Sequence, residues 1–598
     1  MALSKGQVDR AALSKKKPVK VSEKKTSTKL VAAAIDFGTA FSGWAYSMHN
    51  DKNAIICKHW NSGTHISLKA PTTVLIQPDG KTFDAFGYDA ENRYANLFYN
   101  KEHAPYYYFQ QFKMLLYNNK TLTRKARLED AHGKRLLAKT VFSLAIKYLK
   151  DDLLSAINIS LTSPMSESDI QWVLTVPAIW NFRAKQFMRE CAVKAGIKSK
   201  DLRIALEPEA ASLYCKQLEI NKKQQESSTS QCLSTFEPGS QYVIVDAGGG
   251  TVDIIVHRVN EDGTLTEISA ANGGDWGGTC VDRAFMSLVS EVYNKEVVKI
   301  LKDEHIGDYI DLLRELEIKK RTISSVADKS KLRLKVPVKL NAIYESKYTN
   351  KVTDNISQNR KLNGRVTFET DKIFFDQKLM EGIFEPTTRK IVGHLKQVVS
   401  KGTDTIIMVG GFSESPMLLN AIQDAFKDYK VILPAEAGLS VLKGAVLYGH
   451  ERYDISIRVS PYTYGFKIRE TFDPAIHDKG RMYVGHDGTP MVRGVFAKLI
   501  QKNQNIPVDS NTEGYSAGCL AGETSFDLKL FASTDPDPMY VDDSSCFEVG
   551  RVIVDCKDND GKVGSANISL KFGGTEVEAR AVLKSNGKLT KTTFNFLD

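Results

Sequence analysis

AAAIDFGTAFSGWAYS runs from Ala32 to Ser47, and YVIVDAGGGTVDIIVH runs from Tyr242 to His257, 210 positions later. Each is an apolar run, an aspartate, a turn of small residues and a second apolar run. A strand–turn–strand hairpin fits both. Asp36 and Asp246 close the first strand of each, where a hard cation can sit. Gly38 and the run Gly248, Gly249, Gly250 expose backbone N–H groups, because no Cβ blocks an approaching anion. Either stretch alone also reads as a tight hairpin that uses Asp and Gly only for turn chemistry. The matched pair favours phosphate binding, since repetition at long spacing points to a duplicated domain. Two such hairpins facing each other would grip a nucleoside triphosphate and its Mg²⁺ from both sides.

The 598 residues leave room for about four domain-sized units. No apolar run approaches the ~18–20 residues of a membrane span, and the first 29 residues contain no signal-peptide core. The eight cysteines form no CxxC pair, which leaves zinc ribbons and redox motifs unsupported; a reduced, cytoplasmic chain fits them. Net charge is +10, yet residues 1–29 carry +7 of it. The body is nearly neutral, so the basic balance does not imply nucleic acid as a partner. The tail has little to bury and is expected to be disordered. Its Lys15-Lys16-Lys17-Pro18-Val19-Lys20 stretch reads as a solvated tail or as a nuclear-access signal.

Along the chain, strands are expected at Ile55–Trp60 and Thr73–Ile76, and a turn at Gln77-Pro78-Asp79-Gly80. Val141, Leu144, Ala145, Tyr148 and Leu149 repeat at helical period within a helix from Leu136 to Ile157. Trp172–Val176 reads as a buried strand stopped by Pro177; Asn181 and Gly196 then bracket a helix. Helical patterns resume at Val281–Leu301, Tyr309–Ser324 and Phe375–Ser400, and Ile406–Val409 is another strand. Polar surface insertions are expected at Thr121–Arg135, Asn221–Ser230 and Glu345–Gly364. This alternation is α/β. From Val459 to Phe596 the texture becomes short alternating segments between Gly, Asn, Asp and Pro, which reads as antiparallel β.

Five stretches in order carry a family resemblance: IDFGTAFS (Ile35–Ser42), VPAIWNFRAKQ (Val176–Gln186), RIALEPEAAS (Arg203–Ser212), VDAGGGTVD (Val245–Asp253) and IIMVGGFSESP (Ile406–Pro416). The chain resembles the 70-kilodalton heat-shock proteins of the actin-like ATPase superfamily, most of all their divergent branch called heat shock 70 kDa protein 12. The resemblance implies an α/β actin-like ATPase fold of two duplicated lobes around a nucleotide cleft. A C-terminal antiparallel β-sandwich would follow. The implied domains are a basic tail (1–29), a nucleotide-binding domain (30–449), a linker (450–458) and a lidless substrate-binding-like β domain (459–598). The helical lid and the acidic co-chaperone-binding tail of the family are expected to be absent.

On these matches, Asp36 and Asp246 orient Mg²⁺-bound water, Thr39 touches the terminal phosphate, and Thr251 and Asp253 serve the second loop. Lys113, in FQQFKMLLY, matches the family's catalytic lysine, and Glu207 the carboxylate that helps place water or metal. A surface charge and a helix N-terminal Glu are the plainer readings of these two. Glu317, Lys320 and Arg321 share one helix face and match the adenosine contacts, with Ser324 a turn on. A salt-bridged surface helix fits the same spacing. Gly410 and Gly411 match a nucleoside-side loop, and Gly277 and Gly278 a phosphate-side turn. Departures are Ala40 and Phe41 in the first loop, Gln111 near the lysine, and Glu414 where the family has an arginine. The linker His450–Ile457 is a poorer apolar wedge than the family's. The resulting expectation is an ATP- and ADP-binding, slowly ATP-hydrolysing, chaperone-like protein with extended polypeptide clients. A nucleotide-gated adaptor of the same fold, and a small-molecule kinase of the superfamily, are the alternatives.

Overall fold

The computed structural model describes residues 29–63, 66–117, 119–159, 163–225, 234–324, 331–450, 455–485, 487–508, 510–512, 515–518, 524–555, 565–572, 576–584, 587 and 589–597. The tail 1–28 and linker residues 451–454 lie outside them, as does part of the Asn221–Ser230 insertion.

The first lobe is built on β1 (Val31–Phe37), β2 (Phe41–Met48), β3 (Asp51–Cys57), β4 (Ile170–Val176) and β5 (Leu202–Leu206), in the order β5-β4-β1-β2-β3. The second repeats this with β6 (Gln241–Ala247), β7 (Val252–Val259), β8 (Leu265–Gly274), β9 (Thr405–Val409) and β10 (Lys430–Ile432), in the order β10-β9-β6-β7-β8. In each, two parallel neighbours flank an antiparallel hairpin. The long-range sequence repeat is therefore a repeat of topology.

The principal helices are α1 (Gly87–Tyr99), α2 (Ala138–Ile159), α3 (Phe182–Lys194), α4 (Glu207–Gln225), α5 (Thr279–Tyr293), α6 (Lys295–Glu304), α7 (Ile306–Lys320), α8 (Gln377–Val398) and α9 (Ser440–His450). Every residue of β1 is buried, because helices cover both faces. Val31, Ala33, Ile35 and Phe37 pack with α2, whereas Ala32 and Ala34 meet α9. Strand alternation thus sorts large side chains to one face and small ones to the other. In the second lobe Val243 and Val245 face α5 and α8, and Tyr242 and Ile244 face α4. Helix α4 follows the first sheet but packs on the second, and α9 follows the second but packs on the first. They cross at Gly444, where a Cβ would lie 1.7 Å from the Ala210 carbonyl oxygen. Only glycine permits that approach.

Several sequence expectations change in detail. The Val281–Leu301 pattern is two helices, broken at Asn294, which takes φ 73° and caps α6 by accepting from the Glu296 amide. Glu345–Gly364 is not wholly a surface insertion: Val352–Gln358 is helical, and Val352, Ile356 and Leu362 join the second lobe's core. Asn181 caps α3 as expected, accepting from the Ala184 amide at 3.0 Å, and Gly196 takes φ 98° after its end.

Beyond α9, β11 (Ile455–Val459) pairs in parallel with β8 and antiparallel with Asn505–Pro507, so the second lobe's sheet reaches seven strands. The linker's apolar weakness is offset there. Arg458 grips Glu209 of α4 at 2.8 and 2.9 Å, and Glu267 of β8 accepts from the Val459 amide at 2.9 Å. Among the described residues, the remainder forms two antiparallel sheets of five and four strands. Phe466, Leu530 and Val552 of one share a core with Ile568, Leu570 and Ala581 of the other. This region docks on α3: Phe182 stacks on Phe596 at 5.4 Å, Arg189 pairs with Glu576 at 2.6 Å, and Leu597 is buried in the first lobe's core. Among the described residues no helix is long and apolar enough to cross a membrane.

Candidate functional site

A cavity of about 690 Å³ opens between the lobes. Asp36 and Asp246 enter it from the ends of β1 and β6, the central strands of the two sheets, with Gly38, Thr39, Gly248, Gly249, Gly250 and Thr251 on the two turns between the hairpin strands. The turns touch. A Cβ on Gly249 would lie 2.5 Å from the Ala40 Cβ, and one on Gly250 2.5 Å from the Thr39 hydroxyl. Glycine is required there by contact with the opposite lobe. The carbonyls of Gly248, Gly249 and Gly250 accept from the amides of Gly278, Thr279 and Gly277 at 2.9–3.2 Å. Gly277 and Gly278 thus brace the glycine turn from behind and do not line the cavity.

Lys113 projects from a short 3₁₀ turn, Phe112–Leu116, entered through Gln111 at φ 49°. Its Nζ lies 2.9 Å from Glu207 Oε1 and 5.0 Å from the Trp180 ring centre, and the residue is 2% exposed. Glu207 begins α4, next to the cavity. Asp253 sits one strand behind, opposite Asp246 in register, and accepts from the Ile179 amide at 3.0 Å. Lys69, which no sequence motif singles out, reaches Asp36 Oδ2 at 2.6 Å; Thr175 donates to the other oxygen at 2.8 Å. Among the described residues no hydrogen bond reaches the Asp246 carboxylate, which is 5% exposed.

Four buried carboxylates thus face two lysines. Burial pushes Glu207 up to about 7, with Lys113 opposing and Asp36 and Asp253 adding repulsion. Burial carries Asp246 well above the carboxylate range, reinforced by Glu207, Asp253 and Asp36, and lifts Asp253 to about 6. Asp36 goes the other way: burial would raise it, but Lys69 holds it low. Such an excess of buried negative charge calls for a cation or a proton. Among the described residues no group of three or more His, Cys, Asp or Glu is placed to hold a metal directly. A hydrated Mg²⁺, which needs only one or two carboxylates, fits Asp246; Asp36 is already paired.

The other end of the cavity is lined by Glu317 of α7, by Arg321 at the C-cap of that helix, and by Gly410, Gly411 and Glu414. Arg321 donates to Glu317 at 2.9 and 3.0 Å and lies 5.7 Å from the Phe41 ring centre across the cleft. Lys320 turns to Asp282 at 2.7 Å and Glu317 at 2.5 Å and does not line the cavity; neither does Ser324. Gly410 takes φ 86°, and a Cβ there would meet Asp246 Oδ1 at 2.4 Å. Glu414 accepts from the Gly438 amide at 2.8 Å. At the mouth Arg314 of α7 pairs with Glu91 of α1 at 2.8 Å and lies over Tyr88. Phe41, Tyr88, Glu91 and Arg314 were not legible as a group, because only the folded chain brings α1 and α7 together.

The Hsp70 protein family model matches residues 109–479. The chain belongs to the Hsp70 family. It is 30% identical to heat shock 70 kDa protein 12A of Mus musculus, over 97% of this chain and 93% of that protein. It is 29% identical to heat shock 70 kDa protein 12B of Homo sapiens, over 95% and 91%. Chaperone protein DnaK of Thermotoga neapolitana is 24% identical, over 56% of this chain and 48% of that protein. The nearly end-to-end likeness to 12A and 12B aligns this Hsp70-family chain with that divergent branch.

Proposed function

We propose that this Hsp70-family chain binds ATP and ADP with Mg²⁺ between its lobes, hydrolyses ATP slowly, and couples the nucleotide to binding of extended polypeptide. The observation that carries this reading is the meeting of Asp36, Asp246, Lys113 and Glu207 in one cavity between duplicated sheets. The glycine turns and Thr39 would hold the phosphates through amides and a hydroxyl. Lys113 would stabilise charge on the transferred phosphoryl, held in place by Glu207 and Trp180. Glu207, with its carboxyl near neutrality, would orient or deprotonate the attacking water. Bound Mg²⁺ would supply charge at the phosphates, with Asp246 as its nearest open carboxylate. Glu317 and Arg321, with Gly410 and Gly411 beside them, would take the nucleoside.

For the client end, the two C-terminal sheets are read as a lidless β-sandwich from about residue 459. Met482–Val484 is an edge strand whose residues Met482 and Val484 are 41% and 66% exposed. An edge of that kind suits an extended apolar peptide added by main-chain pairing. One observation favours the adaptor alternative: Lys69 already neutralises Asp36. Turnover decides. Steady ATP hydrolysis by the purified chain, lost in Lys113→Ala, supports the ATPase reading. Nucleotide binding without turnover moves the conclusion to the adaptor, and no thermal shift with millimolar Mg·ATP removes both.

A further inference from the structure

We propose that Lys69 is a second phosphate-facing cation, which lets this chain hold a nucleoside polyphosphate without a divalent metal. The inference rests on the nucleotide-binding reading above and extends it to a residue that neither the sequence nor the family resemblance marks. Lys69 immediately precedes the short strand Ala70–Pro71, which pairs with the start of β2 through Phe41↔Pro71 and Ser42↔Ala70. That pairing sets its side chain beside the end of β1. Its Nζ lies 2.6 Å from Asp36 Oδ2, while Thr175 holds Oδ1 at 2.8 Å. Both oxygens of one of the two metal-orienting carboxylates are therefore committed within the protein. An ammonium has three N–H donors. One is on Asp36, which leaves two for phosphate oxygens in the same cavity. The Lys69 side chain is 20% exposed and shares the cavity lining with Lys113, Gly38 and Thr39. Lys69 and Lys113, each paired with one carboxylate, would turn their remaining N–H donors to the phosphates, and lysine binds phosphate as a point charge with little geometric demand.

The test is titration of the full chain with ADP and with ATP, by calorimetry, in MgCl₂ and in EDTA. The wild type should lose less than about tenfold in affinity on chelation. A loss of about tenfold or more overturns the proposal. Lys69→Met should weaken binding in EDTA at least about fivefold more than in MgCl₂, and Lys69→Arg, which keeps the charge, should bind in EDTA within about threefold of the wild type. Equal weakening of Lys69→Met in both buffers, or loss of EDTA binding in Lys69→Arg, overturns the role of Lys69. If Lys69→Met does not fold, the wild-type comparison and Lys69→Arg still decide. Failure of the wild type to bind in MgCl₂ overturns instead the nucleotide-binding reading, so the two failures are distinguishable.

Discussion

The two hairpins share a backbone and differ in chemistry. Asp36 and Asp246 occupy the same slot, yet Asp36 is held by Lys69 and Thr175 while no hydrogen bond among the described residues reaches Asp246. Opposite Asp36 in register stands Gly43; opposite Asp246 stands a second carboxylate, Asp253. At the far end of the hairpins Ser47 matches His257. Ser47 is bonded to the Lys52 carbonyl and to His450, whereas among the described residues neither nitrogen of the buried His257 has a hydrogen-bond partner. Among the described residues, the first hairpin's polar groups at these positions are paired, whereas the second carries two facing carboxylates and an unpartnered imidazole. Duplication preserved the topology, which the core enforces, and left the polar positions free to diverge.

That asymmetry can be attacked where the second lobe's sheet is extended. The Arg458–Glu209 pair is mostly shielded from solvent, with side chains 15% and 5% exposed. Arg458→Ala leaves a buried carboxylate alone and should cost about 3–5 kcal/mol. Urea unfolding of the variant measures it, and a change below about 1 kcal/mol would make this a surface-type pair.

Lys113→Ala tests the element both lobes converge on. Turnover should fall about 10²–10³-fold, the loss seen for one preorganised donor. Nucleotide affinity should change far less. A variant as fast as the parent sinks the catalytic assignment.

His257→Leu sharpens the contrast at the hairpin ends. Burial, with Arg458 adding to it, lowers the His257 pKa to about 3, so the folded chain keeps the ring neutral. The unfolded chain takes up a proton below the ordinary value near 6.5. Stability is therefore lost as pH falls from about 6.5 toward 3, by about 2 kcal/mol at pH 5. Melting curves at pH 7 and pH 5 should converge for His257→Leu relative to the wild type. An undiminished acid penalty places the sensitive group elsewhere.

The smallest effect is expected at the first lobe's entry. Lys29 pairs with Asp201 at 2.6 Å just before β1. Deleting residues 1–28 spares that pair and should leave the melting temperature and nucleotide affinity unchanged within error; a loss of folding would give the basic tail a structural part.

Local pattern was enough for the two hairpins, the caps at Asn181 and Gly196 and the antiparallel C-terminal region, because these depend on apolar period and turn chemistry within a few residues. The cavity-lining positions read through family motifs are those at hairpin ends and helix starts. Lys69 was invisible for the opposite reason: it is one of 81 basic residues, and its proximity to Asp36 arises from a two-residue strand pairing. Glu91 and Arg314 are 223 positions apart. The anchoring of the linker by Arg458 was not legible, since its acidic partners come from α4 and β8.

The pairing of β8 with β11 bears on how the molecule is made. Strand β8 ends at Gly274, and its outer neighbour begins at Ile455. A ribosome adding about 5–20 residues per second needs roughly 10–40 s to deliver the intervening ~180 residues. For that interval the nascent second lobe carries an open β edge, the type of surface that recruits other chains. A member of a chaperone family is itself, during synthesis, a good customer for one.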